Sequence, residues 1–170
     1  GAAENSFSGL AYSFAGDDIS DLSEALDDAD SDEPFFIISH YPLHYGDSRP
    51  GTNVSEVIDL LNDYPNAFFF WGHNHHGDSQ MGAIKTAGDS IQPSDAIGTS
   101  EEINFTYCNS GYMGGISGTG VRVTIESSDD GASVLLQFTQ MGGSVTNSAS
   151  IEVGDGAGSE ISSVDLTDIT

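Results

Sequence analysis

Three histidines, His73, His75 and His76, fall within four positions at the end of the apolar run "FFFWG", in a chain of 170 residues that has five histidines altogether. The other two, His40 and His44, follow a second apolar run, "FFIIS". A neutral imidazole is the commonest side-chain metal ligand and the usual proton carrier near neutral pH. Along an extended segment the two residues of a His-x-His pair project to the same side. His73 and His75 are therefore expected to converge while Asn74 faces away, with His40 from a neighbouring strand adding a third nitrogen. A solitary histidine is ordinarily satisfied by local hydrogen bonds, but five gathered at two strand ends are better explained by a metal centre. His40 and His44 also show the i, i+4 spacing of helix-borne zinc ligands. Pro42 between them would break that helix, and no Glu follows His40, so the helical metalloprotease pattern is excluded.

The elements that must position these residues are readable from periodicity. "DDISDLSEALDDAD" places Ile19, Leu22, Ala25 and Leu26 on one helical face, with Asp17 or Asp18 as the N-cap. "FFIIS" is a continuous apolar run, which predicts a strand buried on both faces. A second helix follows in "TNVSEVIDLLNDYP", with Val54, Val57, Ile58, Leu60 and Leu61 inward, Thr52 or Asn53 as cap, and Pro65 marking the end. "NAFFFWG" predicts another buried strand. With "LAYSF", residues 10–14, as a short strand, the order is strand, helix, strand, helix, strand: an α/β layering with the two histidine-bearing strands parallel. Ligands in such sheets gather at the carboxyl ends of strands, where both histidine groups fall.

From residue 77 the chain becomes a long irregular segment of the kind that shapes a site mouth. A strand is expected over 103–108, and "VRVTIES" and "SVLLQFTQ", joined by "SDDGA", predict a hairpin. Residues 1–140 are thus expected to form one α/β unit and 141–170 a Gly/Ser/Thr/Asp-rich ordered tail of linker-like composition.

Twenty-seven acidic residues against three basic ones, Arg49, Lys85 and Arg122, give a formal charge of −24. That field repels phosphate backbones and anionic lipid, so no nucleic-acid affinity is expected, and no run is long enough for a membrane span. The composition fits a secreted or cell-surface protein, with a salt-adapted cytoplasm as the alternative. Cys108 is the single cysteine, which rules out an intrachain disulfide and reads as a buried, inert thiol. Arg49 and Lys85 are candidates for contact with a phosphate, a surface ion pair being the simpler role.

In combination, "FFIISHYPLH" followed by "FFFWGHNHH" resembles the last two metal-binding motifs of the calcineurin-like metallophosphoesterases, the superfamily that includes the purple acid phosphatases. "TYCNSGYMGG" and the hairpin after it are similar to the closing strands of that fold. The resemblance, over roughly residues 10–140, implies the C-terminal half of an α/β/β/α sandwich, with antiparallel strands after the strand-helix repeats. It implies that His40 and His73 bind one ion of a dinuclear pair and His75 the other, the ions being divalent or trivalent zinc, iron or manganese. Gly72 would permit the tight turn toward the metals, and His44 and His76 would touch the substrate phosphate or orient the ligands. The family's earlier motifs, Gly-Asp-x-His, Gly-Asp-x-x-Asp and Gly-Asn-His, do not occur; "AGDDISD" has the wrong spacing and reads as a helix start. The implied activity is phosphoester hydrolysis completed by an N-terminal half of the same enzyme, covalently joined or cleaved. Two alternatives are a non-catalytic surface or assembly protein on a degenerate scaffold of this kind and a metal-binding module of unrelated origin.

Overall fold

Phe35–Ser39 (β1) and Ala67–Trp71 (β2) pair in parallel, from Phe35 opposite Ala67 to Ser39 opposite Trp71, in a computed structural model that describes residues 12–45, 51–73, 83–112, 118–140 and 142–154. Each strand is preceded by a helix, α1 (Gly16–Asp27) before β1 and α2 (Val54–Asn62) before β2. After short β3 (Ile84–Lys85) and the two-residue strands β4 (Ser90–Ile91) and β5 (Glu101–Glu102), Thr106–Asn109 (β6) adds to the other side of β2. The sheet order is β1-β2-β6-β3, with β6 parallel to β2 and β3 antiparallel to β6. The strand expected over 103–108 is therefore displaced to 106–109 and continues the parallel sheet.

Two apolar layers hold this sheet. On one face, Ile19 and Leu26 of α1 and Val54, Val57, Ile58 and Leu61 of α2 pack with Phe69, Trp71, Phe105 and Tyr107. Burying each large aliphatic or aromatic side chain contributes about 1.5–3 kcal/mol, so this layer outweighs the weak intrinsic helicity of two short helices. The opposite face, carrying Phe68, Phe70 and Cys108, is covered by Val134, Leu136 and Val153. These come from an antiparallel sheet of β7 (Thr119–Ser128), β8 (Gly131–Gln140) and β9 (Val145–Gly154). The mixed α/β architecture is thus a helix layer, a largely parallel sheet and an antiparallel sheet. Among the described residues no helix is long and apolar enough to cross a membrane.

Several local expectations change. β2 is buried at every residue, but β1 is not: Phe36 is 38% and Ile38 81% exposed. The reason is position, because β1 is the edge strand and the antiparallel layer packs on β2 and β6. Val123 and Ile125 of β7 are exposed as well. Ala25 lies on the outer face of α1. Its N-cap is Ala15, without a side-chain bond, and Asp17 and Asp18 occupy the first turn, where they complement the helix dipole. Of the strand expected over 10–14, residues 10 and 11 lie outside the described residues; in 12–14 only Ser13 forms a β-bridge and no strand is assigned, the Phe14 amide donating to the Thr52 carbonyl.

Within the segment that composition marks as linker, Val145–Gly154 pairs with β8 along its length as β9. Residues 155–170 of the expected tail lie outside the described residues. The hairpin forms as expected, with Ser128 opposite Gly131. Gly131 has φ 145°, and a Cβ there would collide with the Val153 carbonyl oxygen, so β9 can approach only a glycine.

The N-terminus of α2 is capped from a distance. Asn53 stands at the N-cap with φ 61° and makes no side-chain cap bond; its Nδ2 donates to the Phe14 carbonyl. The Val54 and Ser55 amides donate instead to the Asp95 carboxylate, at 2.6 and 3.1 Å to Oδ2, and Ser55 Oγ donates to Oδ1 at 2.9 Å. Asp95→Ala is expected to cost about 1–2 kcal/mol of stability in urea unfolding, the usual price of a lost cap with a favourable dipole contact. A change within 0.3 kcal/mol, as an approximate bound on a neutral surface substitution, would exclude this role.

Candidate functional site

Because β1 and β2 are parallel and in register, their carboxyl ends lie together, and each delivers a histidine. His40 directly follows β1 and His73 stands two residues beyond β2. His73 Nδ1 and His40 Nε2 are 3.2 Å apart, with the rings crossed at 84°. One ring can donate a hydrogen to the other at this distance. Two lone pairs can equally share a cation: nitrogens bound at ~2.0–2.1 Å to a tetrahedral ion are about 3.3 Å apart. The donor chemistry and spacing therefore fit a metal.

An aromatic platform supports the pair. Tyr41 lies against both His40 and His73, with ring centroids at 4.9 and 4.8 Å, and stacks on Tyr12 at 4.6 Å. Tyr12 is fixed in turn, its hydroxyl donating to the Pro42 carbonyl and pairing with Ser94 Oγ at 2.8 Å. A buried tyrosine needs such a partner for its polar tip.

His73 has φ 72°, in the left-handed region. Histidine is among the residues that tolerate it, at a cost of about 1–2 kcal/mol. The tight turn expected at Gly72 is thus made by His73; Gly72 does not take a positive φ, and a Cβ on it would make only ordinary contacts. The chain is not extended at His73, so the alternation argument that put His73 and His75 on one side does not hold there. His75 and His76 lie outside the described residues, as does Arg49. Among the described residues no three His, Cys, Asp or Glu side chains gather as a metal site.

His44 is engaged elsewhere. Its backbone bridges Pro93 and its ring packs edge-on against Trp71 at 4.7 Å. Its Nδ1 lies 2.7 Å from the Tyr107 hydroxyl, which also accepts the Leu43 amide at 2.8 Å and, more weakly, the His44 amide at 3.4 Å. Tyr107 is buried, which pushes its phenol well above the usual range and keeps it protonated. Sequence reasoning missed Tyr107, which reads as one more apolar strand residue in "INFTYCN"; the available signal was a tyrosine inside a buried run, whose hydroxyl must find a partner. Close by in the sheet, Trp71 and Asn109 face each other in register. Trp71 Nε1 and Asn109 Nδ2 are buried without a hydrogen-bond partner, each at a cost of about 1–3 kcal/mol.

Lys85 Nζ donates to the Ser90 carbonyl at 2.9 Å and forms no ion pair among the described residues. Cys108 is buried, as expected, on the face toward the antiparallel sheet. No family model, curated protein or solved structure matches the chain.

Burial raises the Cys108 thiol from 9.0 to about 12. Between these values the unfolded chain releases a proton that the folded chain keeps, so the stabilisation is complete below pH 9 and is lost as pH rises toward 12. Tyr107 acts with the same sign from about pH 10 upward. The urea midpoint should be flat to pH 9 and then decline, by up to about 1.4 kcal/mol per pH unit and group. Cys108→Ala should move the onset to about pH 10, and an unchanged onset would count against a buried thiol as the cause.

Proposed function

We propose that the chain is the C-terminal half of a dinuclear, metal-dependent phosphoesterase of the calcineurin-like kind. The observation that carries the reading is the 3.2 Å approach of His40 Nε2 and His73 Nδ1 at the carboxyl ends of adjacent parallel strands. In this reading His40 and His73 hold one ion, His75 contributes to the second, and an N-terminal segment provides the remaining ligands. Bound divalent or trivalent ions would lower the pKa of a coordinated water and neutralise charge on the phosphoryl oxygens. In a protein of charge −24 the neutral imidazoles add no positive field of their own, so such ions are the local charge that would let a phosphoester approach.

This chain's residues orient and shield. The Tyr12–Tyr41 stack fixes the planes of the two ligand rings, and the left-handed backbone at His73 turns its ring toward His40. The open side of the sheet supports the need for a completing segment. Among the described residues nothing pairs with the outer edge of β1, and Phe36 and Ile38 remain exposed beside it. A segment pairing there would reach the carboxyl end of β1 beside His40, where further ligands are required. The same exposed edge supports a second reading, a non-catalytic surface or assembly protein that uses β1 for contact alone.

Metal content of the purified protein separates these readings. Elemental analysis of the wild type is expected to find zinc, iron or manganese near stoichiometry. A His40→Ala, His73→Ala double variant should lose it with little change in thermal unfolding, since both side chains are outside the core. Equal metal content in the variant would overturn the proposed centre. A wild type that takes up none of the three metals when they are supplied would favour the assembly reading.

A further inference from the structure

We infer that Asn104 is an N-linked glycosylation site, which rests on the secreted or cell-surface reading of the composition and is independent of the phosphoesterase reading. The sequence holds two Asn-x-Ser/Thr triads, Asn53-Val54-Ser55 and Asn104-Phe105-Thr106. This triad, with any residue but proline in the middle, is the acceptor pattern for sugar transfer to asparagine in exported chains. It is short, so its place in the fold decides what it can carry.

Asn104 projects from the surface between two anchors. Ile103 and Phe105 are buried, whereas Asn104 is exposed. Asn62, the last residue of α2, fixes its backbone by accepting the Asn104 amide at Oδ1, 2.8 Å away. Asn104 Nδ2 donates to the Asn62 carbonyl at 3.1 Å. A side-chain amide nitrogen carries two hydrogens. A sugar replaces the other one, so the bond to Asn62 survives modification. Asn104 precedes β6 at its amino end, and β6 is parallel to β2, which sets Asn104 at the opposite end of the sheet from the approach of His40 and His73. A sugar there leaves the strand ends open.

Asn53 differs on both counts. It is half-buried at the start of α2, with φ 61°, and its Nδ2 donates to the Phe14 carbonyl at 2.8 Å. A sugar on it would have to displace the segment around Phe14. It would also stand at the histidine end of the sheet, because α2 begins after the carboxyl end of β1. Both triads are open in the unfolded chain, so the folded structure discriminates between them.

The order of events follows from burial. Thr106, whose hydroxyl belongs to the acceptor pattern, is buried in β6, so transfer precedes the docking of that strand. In the transfer, Asn104 Nδ2 bonds to the anomeric carbon of a lipid-linked sugar donor. The bond from that carbon to the donor's phosphate oxygen breaks, the phosphate leaves with the electron pair, and one amide proton passes to a base of the transferase. Phe105 and Thr106 then pack inward while the sugar remains in solvent.

The test is peptide mapping by mass spectrometry of the chain recovered from the cells that make it, after the sugars are released by an amidase in heavy-oxygen water. Position 104 should appear as labelled aspartate and position 53 as unlabelled asparagine. Thr106→Val keeps the shape of the buried side chain without its hydroxyl, and should lose the sugar while retaining a cooperative thermal transition. Asn104→Gln, at an exposed position, should lose it as well. An unmodified Asn104 in the recovered wild type, whether found outside the cell or within it, a sugar on Asn53, or an undiminished sugar in Thr106→Val would each overturn the inference.

Discussion

The register of β1 against β2 is the constraint from which the candidate site follows. Ser39 lies opposite Trp71, and only from that alignment do the next turns of chain carry His40 and His73 to within 3.2 Å. A slip of one residue would move the strand ends by about 3.3 Å and invert the faces of every side chain on the slipped strand. Such a slip is blocked by β2, which is buried at all five positions: Phe69 and Trp71 belong to the helix side, and Phe68 and Phe70 to the side covered by the antiparallel sheet. The aromatic run in the sequence thus serves geometry as well as burial. It makes β2 the reference against which β1 and β6 are aligned.

The same arrangement leaves one side unfinished. β6 and β3 extend the sheet beyond β2, but β1 ends it, with Ile38 mostly exposed and Phe36 touching Phe68 and Phe70 only from the rim. The antiparallel layer has a comparable fringe at Val123 and Ile125 of β7. Each such side chain leaves about 1.5–3 kcal/mol of burial unrealised. An open strand edge flanked by apolar side chains is also a surface that soluble proteins usually blunt or cover. A second copy of this chain is a poor cover, because two molecules of charge −24 would be brought together. What would cover this edge without repulsion is a surface that does not share the strong negative charge.

How much of this was legible in the sequence depended on whether the determinant was local. The two helices followed from apolar spacing alone, and the hairpin of β7 and β8 followed from alternation around "SDDGA". The near-complete burial of β2 followed from its composition. The burial of β1 could not, since "FFIIS" and "AFFFW" are equally apolar and differ only in being edge and interior. Asn53 takes the N-cap position of α2 as its sequence suggests, but the carboxylate that accepts the first amide, Asp95, was not legible because it lies forty-one residues away. β9 was hidden because Ser, Asn and Ala on a strand with one half-open face resemble a linker. At the site, clustering of histidines located the strand ends correctly. The approach of His40 to His73 was anticipated from the adjacent strands, but the left-handed backbone at His73 was not readable, because φ depends on how the turn packs.

The described histidines differ in what lies against each ring. His40 and His73 stand at the carboxyl ends of β1 and β2, their rings against Tyr41 and one nitrogen of each facing the other at 3.2 Å. His44 is tied differently, its Nδ1 lying 2.7 Å from the hydroxyl of the buried Tyr107. Burial raises the Tyr107 phenol well above its ordinary value, so this partner stays protonated at neutral pH. Its placement in β6 is possible only because β6 pairs in parallel with β2, setting Tyr107 opposite Phe69, two residues below the strand end from which the chain continues to His73. The sheet order that joins the two rim histidines thus also fixes the third, and a change in the pairing of β6 would disturb His44 while leaving the His40–His73 approach intact.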